Sequence, residues 1–196
     1  MSNPKILIFS GSIRSGSRNT LLAQAIANAI PKFGGIPNLV SLQDFEMPLY
    51  NGDLEKQDGV PNTARRFAKL MAAHDGIVIV SPEYNASLPA LLKNALDWVS
   101  RVKPEPGNEL HPFKDPLFAI AGASPGAMGT MRNLTAMRAM LMQGFGALVI
   151  AEQLGVPQSG SAFDEDGKLV AERSKSSMET MLGSLVTKAE ALKKGR

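Results

Sequence analysis

The 196-residue chain has no cysteine, which removes disulfides, thiolate metal sites and cysteine nucleophiles together. Histidine is nearly as scarce. His74 and His111 are the two imidazoles, and they stand far apart, which argues against a zinc enzyme or histidine-based catalysis. In Ala72-Ala73-His74-Asp75-Gly76 the imidazole is placed to end a helix favourably. Neither charge sign dominates: the formal net charge is +3, part of it in Lys188, Lys193, Lys194 and Arg196. A basic stripe interleaved with aromatics is missing, so no nucleic-acid partner is expected. No apolar run is long enough to span a bilayer, and the apolar residues 5–9 are too few for a signal peptide and lack a cleavage site. A soluble, cytoplasmic protein without membrane insertion is the expectation. The length suits one domain over residues 1–196 and is too short for two comfortable ones.

What is present is an ordinary globular composition, 44% apolar and 20% charged, and an informative opening. The run Lys5-Ile6-Leu7-Ile8-Phe9-Ser10 enters Gly11-Ser12-Ile13-Arg14-Ser15-Gly16-Ser17-Arg18-Asn19. Leu22, Ala25, Ile26, Ala29 and Ile30 then recur with the period of a helix. A strand, a small polar loop and a helix start make an anion site, because the free N–H groups of the first turn and the helix dipole favour negative charge there. No Gly-Lys-Ser/Thr follows, which excludes a P-loop. The glycine pattern that lets a pyrophosphate lie against the backbone is absent too. Ser12, Ser15, Ser17 and Asn19 are compact neutral donors, and Arg14 adds one guanidinium. That set suits a single terminal phosphate monoester. The alternative is a plain Ser/Gly turn in which Ser17 or Asn19 caps the helix.

Strand and helix signals alternate through the rest of the chain. Residues 38–42 read as a second strand, and residues 43–60, with Pro48, Gly52 and Gly59, as a long surface loop of the kind that usually carries function. A helix is predicted over 62–73, with Ala64, Phe67, Leu70 and Met71 inward. Gly76-Ile77-Val78-Ile79-Val80-Ser81 is continuously apolar, as a strand buried on both faces must be. A helix follows from Pro89, then an irregular connection over 103–115 with three prolines. Strands are predicted over 117–121 and 147–151, and helices over 130–145 and 170–194. This alternation calls for an α/β doubly wound parallel sheet of five strands, order 2-1-3-4-5, with helices on both faces. In that order the chain reverses between the first and third strands. The loops after strands one, three and four gather there, and they are the ones rich in Gly, Ser, Asn and Pro.

Two of these loops carry a specific resemblance. Gly11-Ser12-x-Arg14-x-x-Ser17-x-Asn19, followed by Pro82-Glu83-Tyr84-Asn85-x-Ser87-x-Pro89-x-x-Leu92-Lys93-Asn94-x-x-Asp97-Trp98, resembles the NADPH-dependent FMN reductases. That flavodoxin-like family includes quinone reductases, chromate reductases and azoreductases. The resemblance implies that FMN is the cofactor and NADPH or NADH the donor, with electrons passing in ping-pong fashion to a small quinone-like acceptor; azo dyes, chromate or free flavin are further candidates. It also implies that Ser12, Arg14, Ser17 and Asn19 hold the phosphate, and that Pro82, Glu83, Tyr84, Asn85 and Ser87 lie along the flavin ring. Ser124 and Gly126 would complete the ring and ribityl contacts. No catalytic acid–base pair is implied, because the cofactor carries the chemistry.

Several residues keep two readings. Glu83 is a catalytic carboxylate or, in the stronger reading, a structural hydrogen-bond or subunit contact. Lys93, Asn94, Asp97 and Trp98 are read as capping, packing and interface residues. Met128, Met131, Met137, Met140 and Met142 fill a core or a subunit contact, since family members form homodimers and homotetramers. Arg18 or Arg132 meets an NADPH 2′-phosphate or is an ordinary surface arginine. The competing functions are a flavodoxin-type electron carrier and a scaffold that binds flavin without turnover. The basic sequence pI of about 9.2 and the Arg14 loop count against the carrier.

Overall fold

The apolar runs without helical period become inner strands, because only a sheet covered on both sides buries every residue of such a run. The computed structural model describes residues 2–104 and 111–194. Its strands are β1 (Lys5–Ser10), β2 (Ile36–Ser41), β3 (Gly76–Val80), β4 (Leu117–Ala123) and β5 (Leu148–Val156), and its helices are α1 (Arg18–Ala29), α2 (Gly52–Asp58), α3 (Asn62–Ala72), α4 (Ala90–Ser100), α5 (Met131–Ala139) and α6 (Glu172–Lys194). The five strands form one sheet in the order β2-β1-β3-β4-β5, with every neighbouring pair parallel. This is the expected topology. Part of the proline-rich 103–115 connection, and Arg196 of the basic tail, lie outside the described residues.

Successive residues of each strand serve opposite layers. Ile6, Ile8, Val78 and Val80 pack with Leu22 and Ile26 of α1 and with Met181, Leu182 and Leu185 of α6. Leu7, Phe9, Ile77, Ile79, Phe118 and Ile120 pack with Phe67 and Met71 of α3, Leu92 and Leu96 of α4, and Leu134 and Met137 of α5. Burying one Leu, Ile or Phe side chain stabilises a fold by about 1.5–3 kcal/mol. These two layers therefore hold the strand ends, and the loops they carry, in fixed positions.

Three elements differ from expectation, each for a local reason. The 43–60 segment is not a bare loop. A short 3₁₀ turn spans Leu42–Phe45, and α2 stands on the surface with no buried residue, so it leaves no apolar period to read. Asn51 caps it through Asp53 N at 2.9 Å, and Gly59, at φ 76°, ends it. The segment is anchored from α4: Asn94 Nδ2 and Trp98 Nε1 both donate to the Pro48 carbonyl, at 2.9 and 2.7 Å, and Asn94 Oδ1 accepts from Tyr50 N at 2.8 Å. Tyr50 Oη and Arg101 Nε bond Glu55, at 3.0 and 2.9 Å, and the guanidinium holds that carboxyl below its ordinary pKa. Asn94 and Trp98 thus hold this segment in place.

The second difference is β5, which runs on to Val156. Its pairing with β4 shifts between Phe118↔Val149 and Ile120↔Gln153. The bulge takes the polar Glu152 and Gln153 into an edge strand and hides the strand's continuation from a search for apolar runs. Third, α5 ends at Ala139, and the chain continues as a wide π turn over Met140–Gly144.

His74 does end a helix, but in an uncharged form. Its Nδ1 donates to the Leu70 carbonyl of α3 at 2.7 Å, and its Nε2 accepts from Asn38 Nδ2 at 3.1 Å. Burial of the ring pushes its pKa down, as this bonding pattern of one donor and one acceptor requires.

Candidate active site

Loop 1 leaves β1 and enters α1 through a chain of serine contacts. Ser10 Oγ accepts from Ser12 N at 3.1 Å, Ser12 Oγ from Arg14 N at 3.4 Å, and Ser17 Oγ from Asn19 N at 3.3 Å. Each oxygen is used as an acceptor, so each hydroxyl proton remains available to donate to an anion. Ser17 is the N-cap of α1. Arg14 is exposed, and among the described residues its guanidinium has no carboxylate partner.

The Asn19 carboxamide is committed elsewhere. Its Oδ1 accepts from Ala123 N at 2.8 Å and its Nδ2 donates to Ala123 O at 3.0 Å. Across the sheet, Gly11 N donates to Val80 O at 2.8 Å. Loop 1 is therefore tied to the ends of both β3 and β4.

Loop 2 follows β3 and closes on itself at a tight turn. Tyr84 and Ser87 exchange backbone hydrogen bonds, each 3.0 Å, and the residues between them, Asn85 and Ala86, have φ of 51° and 65°. Two positive φ values between reciprocal bonds are the signature of a type I′ turn. Behind the turn, the Glu83 side chain is 7% exposed. Its carboxylate accepts from Arg132 Nε at 2.7 Å and from Asn133 N at 3.2 Å. Asn133 Nδ2 returns bonds to the Ser81 and Pro82 carbonyls, at 3.3 and 3.0 Å. Glu83 thus has the structural hydrogen-bonding role, joining loop 2 to the start of α5.

Loop 3 follows β4 and is bonded to the segment after β5. Ser124 N donates to Val156 O at 3.0 Å, Ser159 N to Ser124 O at 3.0 Å, and Gln158 N to Gly126 O at 3.2 Å. At the base of this loop, a Cβ on Gly122 would collide with the Ser81 carbonyl and the Thr130 side chain.

The three loops enclose one cleft of about 130 Å³. Of the residues singled out in the sequence, Ser12, Arg14, Ser17, Arg18, Asn19, Pro82, Glu83, Tyr84 and Ser124 line it. Asn85, Ser87 and Gly126 do not; they belong to the turn tip of loop 2 and the crest of loop 3. Ser159 also lines it and is 1% exposed. The sequence signal for Ser159 was a Gly/Ser-rich run after β5, hidden because the strand ends later than its apolar part. Larger cavities exist, one of about 600 Å³ between α1 and α6, but none of loops 1, 2 and 3 lines that one.

FMN fits the cleft on chemical grounds. The α1 N-terminus, free serine protons and an unopposed Arg14 suit a phosphate dianion. The one carboxylate lining the cleft, Glu83, is already paired with Arg132. The cleft volume suits the phosphate end, and the rest of the flavin would extend over loops 2 and 3. The two arginines considered for a 2′-phosphate are placed differently. Arg132 is spent on Glu83, and Arg18 also faces a cavity lined by Asp164, Glu165 and Asp166.

Among the described residues, no group of three or more His, Asp or Glu could hold a metal ion, and no helix is long and apolar enough to cross a membrane.

Comparison with known proteins places the chain in a family. The family model for NADPH-dependent FMN reductase matches residues 4–161. The chain is 33% identical over 183 residues to an NAD(P)H-dependent FMN reductase of Pseudomonas aeruginosa, covering 92% of each chain. It is also 33% identical to a 2-hydroxy-1,4-benzoquinone reductase of a Burkholderia species, covering 91% of this chain and 92% of that one. Its fold is shared with the flavoenzyme NAD(P)H:(acceptor) oxidoreductase of Paracoccus denitrificans, at a TM-score of 0.78 and 24% identity over 96% of this chain and 98% of that one. With three strand-end loops converging on a phosphate-sized cleft and this match over most of its length, the chain belongs to the NADPH-dependent FMN reductase family.

Proposed function

We propose that this chain is one flavodoxin-like domain acting as an FMN-dependent NAD(P)H oxidoreductase that takes donor and acceptor in turn at one open flavin face. The observation that carries the reading is the convergence of the α1 N-terminus, the serine hydroxyls and Arg14 beside the exposed Tyr84. FMN, when bound, supplies two-electron exchange between a nicotinamide and an acceptor. The chain's part is to bind and orient it. Loop 1 holds the phosphate, and the backbone of residues 82–85 lies along the ring with Tyr84 packed beside it. Asn85 and Ser87 keep the turn shape that presents that backbone, and Ser124 and Gly126 meet the polar edge of the ring.

Quinones are the proposed acceptors, as in the relatives named for them. Azo compounds, chromate and free flavin could be reduced at the same face. A homodimer or homotetramer is proposed through two exposed apolar side chains, Met142 in the turn after α5 and Leu148 at the start of β5.

The experiment is an anaerobic visible spectrum of the purified protein with NADPH added, then a quinone. Bleaching of a bound flavin followed by recovery supports the reading. A flavin that binds but is not bleached by either nicotinamide would overturn it in favour of an electron carrier or a scaffold.

A further inference from the structure

A second polar cavity, of about 390 Å³, lies on the far side of loop 3. Ala127, Met128 and Gly129 form one wall, Gln158 another, and Arg173 and Ser174 of α6 a third. The two cavities share their partition. Ser124, Pro125 and Ser159 face the flavin cleft, whereas the next residues along the same backbone, 127–129 and 158, face the second cavity. The Gln158 N–Gly126 O bond, 3.2 Å, closes the partition between them.

The chemistry of the second cavity is that of an anion site. It holds the N-terminus of α6, whose first helical bond is Lys175 N to Ala171 O at 2.9 Å, so the amides of residues 172–174 precede that bond and are free to donate. Independently of the helix, Ser174 is 6% exposed and lines the cavity, and among the described residues its hydroxyl has no hydrogen-bond partner. That hydroxyl is left free to donate into the cavity. Arg173 is exposed and has no carboxylate partner among the described residues. No acidic side chain lines the cavity; Glu172, its neighbour in sequence, lines the cavity between α1 and α6 instead. Met128, 57% exposed, offers a polarisable surface beside these donors, suited to a flat aromatic base.

We propose that this cavity receives the 2′-phosphoadenosine end of NADPH, with Arg173, Ser174 and the α6 N-terminus on the 2′-phosphate. This rests on the flavin reading above: a nicotinamide lying over the cleft has only loop 3 to cross. It names the residues that set the preference for NADPH over NADH, a choice the sequence motifs leave open. It also supplies a cation in place of Arg132, which is paired with Glu83.

The test measures adenosine 2′,5′-bisphosphate binding by calorimetry, with 5′-AMP as control, to both the FMN-loaded and the FMN-free protein. The ratio of kcat/KM for NADPH to that for NADH is measured in parallel. Wild type should bind the bisphosphate more tightly than 5′-AMP. Arg173→Ala should weaken that binding, and lower the NADPH/NADH ratio, by about tenfold or more, as expected for losing a charge-assisted hydrogen bond. Arg173→Lys should restore part of both, and Ser174→Ala should lower both more modestly. Equal affinity of wild type for the two nucleotides, or a ratio unmoved by Arg173→Ala, would overturn the proposal. Arg173-dependent bisphosphate binding in a protein that takes up no FMN would sink the flavin reading and leave this site standing.

Discussion

The carboxamide of Asn19 pairs with both backbone polar atoms of Ala123, at 2.8 and 3.0 Å, across 104 positions of sequence. This contact joins the first turn of α1 to the last residue of β4, so loops 1 and 3 cannot separate while it holds. Asn19→Ala removes both bonds and leaves the Ala123 amide buried without a partner. A stability loss of about 2 kcal/mol is expected in urea unfolding, together with weaker FMN binding in a fluorescence titration. A stability change within about 0.5 kcal/mol, the range of ordinary surface substitutions, would show that the brace contributes nothing.

Arg14 tests the phosphate end directly. Its guanidinium is exposed and unopposed, so Arg14→Ala should leave the fold intact and weaken FMN binding by about 1.5–3 kcal/mol, the range for a hydrogen bond to a charged group. The loss should shrink at high salt, because the contact is partly open to solvent. Unchanged flavin affinity would remove the phosphate assignment.

Ala86 sits at φ 65° in the turn between Tyr84 and Ser87, a conformation that costs a residue with a Cβ about 1–2 kcal/mol. Glycine avoids that cost but loses more chain entropy on folding. Ala86→Gly should therefore raise stability by roughly 0.5–1 kcal/mol. Thermal unfolding reads this directly; a lower midpoint would mean that the backbone is relaxed at this turn.

His74 gives the protein a pH-dependent contribution with a defined sign. Burial is the main cause that lowers its pKa; nearby Lys5 lowers it further, and the Leu70 carbonyl and Asp75 oppose. The unfolded chain, with an ordinary histidine near pH 6.5, then binds the proton more readily than the folded one. The contribution is fully present above that value and is lost as pH falls toward the depressed folded value. The stability difference between wild type and His74→Gln should shrink as pH drops from about 7.5 to about 5. A difference independent of pH would show that the ring is not buried in its neutral form.

How much was legible beforehand divides along a physical line. The strand–loop–helix unit over residues 5–19, the buried strand at 76–80 and the amphipathic α3 were readable because each element's pattern reports its own burial. The sheet order followed from their alternation. By the same logic α2 was invisible, since a helix that buries nothing prints no period. The second half of β5 was invisible as well, since a bulge at an edge strand breaks the apolar run.

The sequence by itself determined the residue types of the three strand-end loops, the topology that gathers those loops, and through them the family. Only the tertiary structure decided what each side chain has left to offer. Asn19 turned out to be a brace, Glu83 and Arg132 neutralise each other, and Ser159 reaches the cleft from beyond β5 while Arg173 and Ser174 line the cavity behind loop 3. Those assignments depend on partners 49 to 104 positions away and on which face of a loop meets which cavity. No local period encodes such long-range pairing; it is set when the two layers of the core pack and fix the strand ends.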